Sequence, residues 1–321
     1  MSLLDIAANP VPADAVTGYL ETRDGVRIRY ARWTPLAARR GTVCLLTGRT
    51  DMIEKYFEVI SELRERGFAV AALDWRGQGG SQRLLSDPRK GHVRRFEDYQ
   101  LDLEALIREV VLPDCPPPLF ALAHSMGGAI LIEAVQKGRR WFDRIVVTSP
   151  MIGFTGLTAA PFARTAVTLG AWLGLGRSYI PGGGPTAVTN RPFLGNPITS
   201  DLIRYERTAA IAQTNPDLAL GSPTIGWTYA AYRLVDTFAD PTYPSALRQP
   251  MLLLAAGEDR IVSSPAIERF AFRLRAGAHL VINGSRHEIL MERDIIREQF
   301  WAAFDAFVPG TPLVTGTALY R

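Results

Sequence analysis

Cysteine is nearly missing. Cys44 and Cys115 are the only two in 321 residues, and neither sits in a CxxC. That excludes a disulfide framework and a paired-cysteine zinc site, and the expectation is two buried, reduced thiols in a cytoplasmic protein. Histidine is almost as scarce, so any imidazole chemistry must use His92, His124, His279 or His287. Runs of five like charges are absent. The net charge of +4 comes from interspersed residues, 36 basic and 32 acidic, which argues against a nucleic-acid-binding tail. A transient contact with an anionic membrane surface stays open. The longest uncharged stretch, Ile145 to Ala163, holds Thr148, Ser149, two prolines and two glycines, so no membrane-spanning helix is expected. The first residues carry Asp5 and no basic cluster, and no signal peptide is expected.

Several chemistries lack their signatures as well. There is no HExxH and no Walker A lysine. Gly77-Gln78-Gly79 is not followed by the third glycine of a dinucleotide fingerprint. No metal or organic cofactor is therefore expected. With 47% hydrophobic and 21% charged residues, the chain is neither disordered, collagenous nor a coiled coil.

What is present is an alternation. Tyr19 to Arg32 reads as a hairpin turning at Asp24-Gly25. Short apolar strands are predicted at Thr42–Leu46, Phe68–Leu73, Leu119–Ala123, Ile145–Thr148, Met251–Ala255 and His279–Ile282. Helices are predicted at 54–66, 96–111, 129–137, 265–275 and 288–307. Strands apolar throughout and separated by helices imply a mostly parallel sheet covered on both faces. Between Ile152 and Ser245 the pattern breaks. Only 11 of those 94 residues are charged, 20 are Gly or Pro, and aromatics are plentiful. The expectation is a core built from 1–151 and 246–321, with 152–245 inserted as a lid.

The chemistry concentrates at Pro118 to Ile130, PLFALAHSMGGAI. A strand runs into Ala123-His124-Ser125-Met126-Gly127 and then into a helix, a G-x-S-x-G nucleophile elbow with alanine in the first position. A turn this sharp strains the serine backbone, and only small residues fit two positions to either side. A serine needs a base, and the base an orienting carboxylate, in the chain order Ser, Asp/Glu, His. Gly257-Glu258-Asp259 follows one late strand, and Gly284-Ser285-Arg286-His287 follows the next. Asp259 is preferred to Glu258 because a GxD turn here points the aspartate toward the site. His124 should point elsewhere, His279 begins a strand, and His92 lies upstream in a loop. Ser125, Asp259 and His287 are thus the expected catalytic residues. The expected oxyanion hole is the backbone N–H of Met126, after the nucleophile, with that of Arg49 in the loop Thr47-Gly48-Arg49-Thr50.

With these residues in view, the chain resembles the serine α/β-hydrolases of the lysophospholipase and monoacylglycerol lipase type, over nearly its whole length after Gly18. The matching stretches are LLTGRTDMIEKYFEVISELRERGFAVAALDWRGQGGS, FEDYQLDL, AHSMGG, GEDRIV and GSRHEIL. The resemblance implies hydrolysis of a monoacyl lipid ester through an acyl-enzyme, and a loop Asp74–Gly79 that braces the rim of the site. Two positions depart from the family pattern: Thr47 replaces its usual oxyanion-loop histidine, and Ala123 its elbow glycine. Two alternatives stand beside this reading, a small-ester carboxylesterase or peptidase of the same fold and a non-catalytic ligand-binding module.

Overall fold

The computed structural model describes residues 3–36 and 39–309. Its eight strands are β1 (Val16–Glu21), β2 (Arg27–Trp33), β3 (Gly41–Leu46), β4 (Phe68–Leu73), β5 (Leu119–His124), β6 (Arg144–Thr148), β7 (Met251–Ala256) and β8 (Gly277–Ile282). They form one sheet in the order β1-β2-β4-β3-β5-β6-β7-β8. Only the β1–β2 and β2–β4 pairs are antiparallel, and every later pair is parallel. Every residue of β3, β4, β5 and β7 is buried, as strands covered on both faces require. Alternate residues feed opposite layers. Cys44 and Leu46 join one core with Tyr99, Leu103 and Ile130, while Val43 and Leu45 join the other with Phe57, Ile60 and Phe300.

The flanking helices are α1 (Phe57–Glu65), α2 (Asp98–Leu106), α3 (Met126–Gln136), α7 (Ser264–Ala271) and α8 (Asp294–Phe307), with α4 to α6 intervening as given below. Several boundaries differ from expectation: the helix expected from 54 opens as a 3₁₀ turn over Ile53–Tyr56, and α7 ends at Ala271 rather than Arg275. Helix α2 starts at Asp98, and a π-helical turn carries it on over Ile107–Val111. Helix α3 begins directly after Ser125 rather than at Ala129. The segment expected as one helix from 288 to 307 is a 3₁₀ turn at Ile289–Met291 and then α8, because Glu292 turns inward. Its carboxylate accepts the Arg286 N–H at 2.8 Å and the Ser200 N–H at 3.0 Å. Of the two cysteines, Cys44 is buried and Cys115 only half-buried, and both are free thiols.

All eight strands lie outside residues 152–245. That segment carries α4 (Pro161–Trp172), α5 (Leu202–Thr214) and α6 (Ile225–Phe238). Asp201 and Thr224 cap α5 and α6 by accepting the N–H groups of Arg204 and Trp227. Val167 of α4 packs against Ile225 and Tyr232 of α6. The outer face of α4 stays bare: Phe162 is 68% exposed, and Trp172 and Leu173 are each 75% exposed. The segment is tied to the sheet by ion pairs from Arg204 and Arg207 to Glu58 of α1, at 2.6 and 2.5 Å. Of the expected core, residues 1–2, 37–38 and 310–321 lie outside the described residues.

Candidate active site

Parallel strands deliver their carboxyl ends to one rim, where ligands of open α/β sheets bind. At the end of β5 the chain turns directly into α3, and Ser125 takes φ 49° and ψ −111°, a left-handed-side backbone that a non-glycine residue holds only under constraint. Neighbouring groups supply that constraint. Ser125 N–H donates to the Thr148 carbonyl at 3.0 Å, and its carbonyl accepts from Ala129 and Met151, both at 3.1 Å. At 127 only glycine fits, since a Cβ there would collide with the Leu46 and Thr47 carbonyls. At 123 the buried alanine is tolerated.

The loops after β7 and β8 bring the other two groups to the serine. Ser125 Oγ lies 3.0 Å from His287 Nε2, and His287 Nδ1 lies 2.8 Å from Asp259 Oδ2. A carboxylate only accepts, so Nδ1 carries the proton and Nε2 is free to accept from the hydroxyl. Asp259 is held by the Ile261 and Val262 N–H groups, at 2.8 and 3.0 Å on Oδ1. Burial raises its carboxyl, but the facing His287 and these N–H bonds outweigh burial and leave it below the usual aspartate value. Glu258, the alternative carboxylate, is exposed. Arg49 and Met126 both line the cavity in front of Ser125. Among the described residues neither of their backbone N–H groups donates to a protein acceptor.

The family described as serine aminopeptidase S33 (Hydrolase_4) matches residues 37–294. The chain belongs to it. Lysophospholipase L2 of Escherichia coli K12 is 34% identical over 282 residues, covering 85% of this chain and 82% of that one. A monoacylglycerol lipase of Mycolicibacterium smegmatis is 26% identical, covering 84% of this chain and 88% of its own. Among solved structures, a soluble variant of the Saccharomyces cerevisiae monoglyceride lipase superposes with a TM-score of 0.75 at 19% identity. It covers 96% of this chain and all of that one, a likeness that shows the α/β-hydrolase fold.

The loop Thr47–Thr50 is braced by Asp51, which carried no sequence signal, and by the loop Asp74–Gly79. The Asp51 carboxylate accepts the Gly48 N–H at 2.7 Å, the Tyr56 hydroxyl at 2.7 Å and Lys55 Nζ at 2.6 Å. Gln78 donates to the Gly48 carbonyl at 2.7 Å, and the Trp75 indole to the Thr47 carbonyl at 2.8 Å. These last two make the expected brace of Asp74–Gly79 concrete. The Thr47 hydroxyl itself has no hydrogen-bond partner among the described residues. Ser149, with φ 44°, donates to the His287 carbonyl at 2.8 Å and so holds His287 from behind.

His124 departs from expectation in one respect. Its Nδ1 pairs with Thr148 Oγ1 at 3.1 Å, away from the serine, yet the ring lines the cavity 5.0 Å from the His287 ring. Burial and the neighbouring His287 push it down to about 3, so it stays neutral. His92 bonds Thr224 at 2.8 Å, and His279 lies within β8. The cavity measures about 320 Å³, and its exposed surface is mostly apolar, contributed by Met151, Phe154, Ile180, Ile198, Trp227 and Ile261 beside several threonines and charged side chains. Among the described residues no group of three or more His, Cys, Asp or Glu could hold a metal ion, and no helix is long and apolar enough to cross a membrane.

Proposed function

We propose that this chain is a serine hydrolase that cleaves the carboxylic ester of monoacyl lipids, in the manner of a lysophospholipase or monoacylglycerol lipase, through an acyl-enzyme on Ser125. The observation that carries this reading is the chain of contacts Ser125–His287–Asp259, at 3.0 and 2.8 Å, opening onto an apolar cavity. Ser125 Oγ attacks the ester carbonyl while His287 Nε2 takes its proton. The tetrahedral oxyanion lies between the N–H groups of Arg49 and Met126. His287 then returns the proton to the leaving alcohol, the acyl chain stays on Ser125, and a water activated by the same imidazole releases it. Asp259 holds the imidazole in the productive tautomer and stabilises its charged form.

The family description invites a peptidase reading, and the charges in the cavity favour the ester. An aminopeptidase must bind a free ammonium with an uncompensated acid. The two carboxylates lining this cavity, Asp51 and Glu288, both contact Lys55 Nζ at 2.6 Å. Residues 152–245 form the lid of this reading. They supply Phe154, Ile180, Ile198 and Trp227 to the cavity wall, and the Ile198 carbonyl accepts the N–H of Glu288, beside the base, at 2.8 Å. The bare apolar face of α4 suits transient contact with a membrane surface by a cytoplasmic protein.

The test is hydrolysis across lysophospholipids, monoacylglycerols and short aryl esters. Each methylene entering an apolar cavity contributes about 0.8 kcal/mol, so kcat/KM should climb with chain length until the cavity is filled. Flat activity across chain length contradicts the lipid reading and leaves a small-ester hydrolase.

A further inference from the structure

Two cations line the cavity, and they are compensated very differently. Lys55 sits between Asp51 and Glu288, 2.6 Å from each. Arg49, on the loop after β3, has no carboxylate at ion-pairing distance among the described residues. Neutral groups hold its guanidinium instead. Nη2 donates to the Gly221 carbonyl at 2.8 Å, Cζ lies 5.1 Å from the Trp227 ring centre, and Nε is buried with no hydrogen-bond partner. The surroundings keep room for this arrangement. Trp227 is fixed through its indole N–H on the Tyr99 hydroxyl at 3.1 Å, and a side chain at Gly91 would collide with the guanidinium. Burial pulls the group down to about 10, which still leaves it charged at neutral pH. A guanidinium offers five N–H donors, and here a single protein acceptor takes one of them. The half-buried charge thus has no carboxylate partner among the described residues.

We propose that the Arg49 side chain is an anion subsite for the phosphate of a lysophospholipid, so that the cavity favours phosphate-bearing monoacyl lipids over neutral monoacylglycerols. This rests on the lipid-ester reading above, in which the Arg49 N–H meets the ester oxyanion. The covalent reach agrees. Six bonds separate the Arg49 backbone nitrogen from Cζ, and six separate the carbonyl carbon from phosphorus in a 1-acyl glycerophospholipid. One residue therefore addresses both ends of the glycerol unit, the ester through its main chain and the phosphate through its side chain. Phosphate oxygens match the guanidinium fork, and such charge-assisted bonds are the strong ones.

The test compares 1-lauroyl-glycerophosphocholine with 1-lauroylglycerol, both as monomers, on the wild-type chain and on Arg49→Lys and Arg49→Met. The wild type should prefer the phosphate-bearing substrate in kcat/KM by roughly 10- to 100-fold. Arg49→Met should collapse that ratio toward one, and Arg49→Lys should retain part of it. An equal or reversed preference in the wild type overturns the subsite while leaving the lipid-ester reading intact. A ratio unchanged in Arg49→Met overturns it as well. Should Arg49→Met not fold, the wild-type ratio and Arg49→Lys decide. Cleavage of short aryl esters with neither lipid hydrolysed would defeat the lipid reading itself, and the subsite with it. Protection of Ser125 from a fluorophosphonate should be stronger with the lysophospholipid than with inorganic phosphate at equal concentration. Equal protection would assign the subsite to a free anion and overturn the headgroup role.

Discussion

The sheet and the helical segment inserted after β6 are built by different means. In the sheet, strands such as β3 and β7 are buried at every residue, and two apolar layers lie beneath the loops that carry Ser125, Asp259 and His287. In the insertion, α4 buries little beyond Val167 and Gly170 and leaves Phe162, Trp172 and Leu173 bare. Its attachment is mixed: α6 buries Trp227, Ala231, Leu234 and Phe238 in the core layer of the sheet, while α5 and its neighbours add polar links, Arg204 and Arg207 to Glu58, Arg286 to the Asn196 and Thr199 carbonyls, and Thr224 N–H to the Gly91 carbonyl. Ser125, His287 and Asp259 thus stand on loops of a packed core, while much of the cavity wall belongs to a segment anchored through α6 and otherwise linked by ions and hydrogen bonds.

The comparison can be broken at four places. The largest effect belongs to the core loops. Asp259→Asn should lower kcat by about 10⁴-fold through loss of the productive imidazole tautomer, whereas Glu258→Gln should stay near wild type. Steady-state kinetics on one ester checks both, and a costlier Glu258 change would reassign the carboxylate. Next is stability. Leu253→Ala, in the middle of β7, should cost about 2–5 kcal/mol in denaturant unfolding, against at most about 0.5 kcal/mol for the exposed Phe162→Ala.

Third comes acid. Burial raises the Glu58 carboxyl, but hydrogen bonds from Arg204 and Arg207 and the charge of Arg297 overrule it and bring it down to about 2. The folded value lies below the unfolded 4.5, so the stabilisation is fully present above about pH 4.5 and is lost as pH falls toward 2. It amounts to roughly 2–3 kcal/mol. Limited proteolysis should open α5 before the sheet in that window, and Glu58→Gln should show the same opening at neutral pH. Simultaneous loss of both regions would contradict the division. The smallest effect is at the bare face. Trp172→Glu should reduce hydrolysis of vesicle-bound lipid by roughly tenfold while sparing soluble short esters. An equal loss on both would place Trp172 in the cavity wall.

What the amino-acid sequence disclosed follows the same line. Strands buried on both faces announce themselves as apolar runs, and each predicted strand is found within a residue or two. The serine elbow and the two late loops were legible because β5, β7 and β8 end where their chemistry begins. The braces were legible only in part, through the loop Asp74–Gly79 that the resemblance implied. Asp51 and Gln78 act through the Gly48 backbone, and Ser149 acts through the His287 carbonyl. The Gln78 and Ser149 contacts join residues whose proximity only the fold creates, whereas Asp51 reaches back just three residues to Gly48. The break before α8 was hidden because Glu292 turns inward to accept the nearby Arg286 N–H and the distant Ser200 N–H. The insertion showed itself only by its low charge and its glycines and prolines, because its helices are defined by caps and by contacts with the core.

The central claim is that Ser125 is the one activated nucleophile of an ester hydrolase. It is tested most directly by reaction with a fluorophosphonate followed by mass mapping of the labelled peptide. A single adduct on the peptide carrying Ser125, absent in Ser125→Ala and in heat-denatured protein, is the predicted result. Labelling at another residue, or no labelling of a folded chain that still hydrolyses esters, would contradict it.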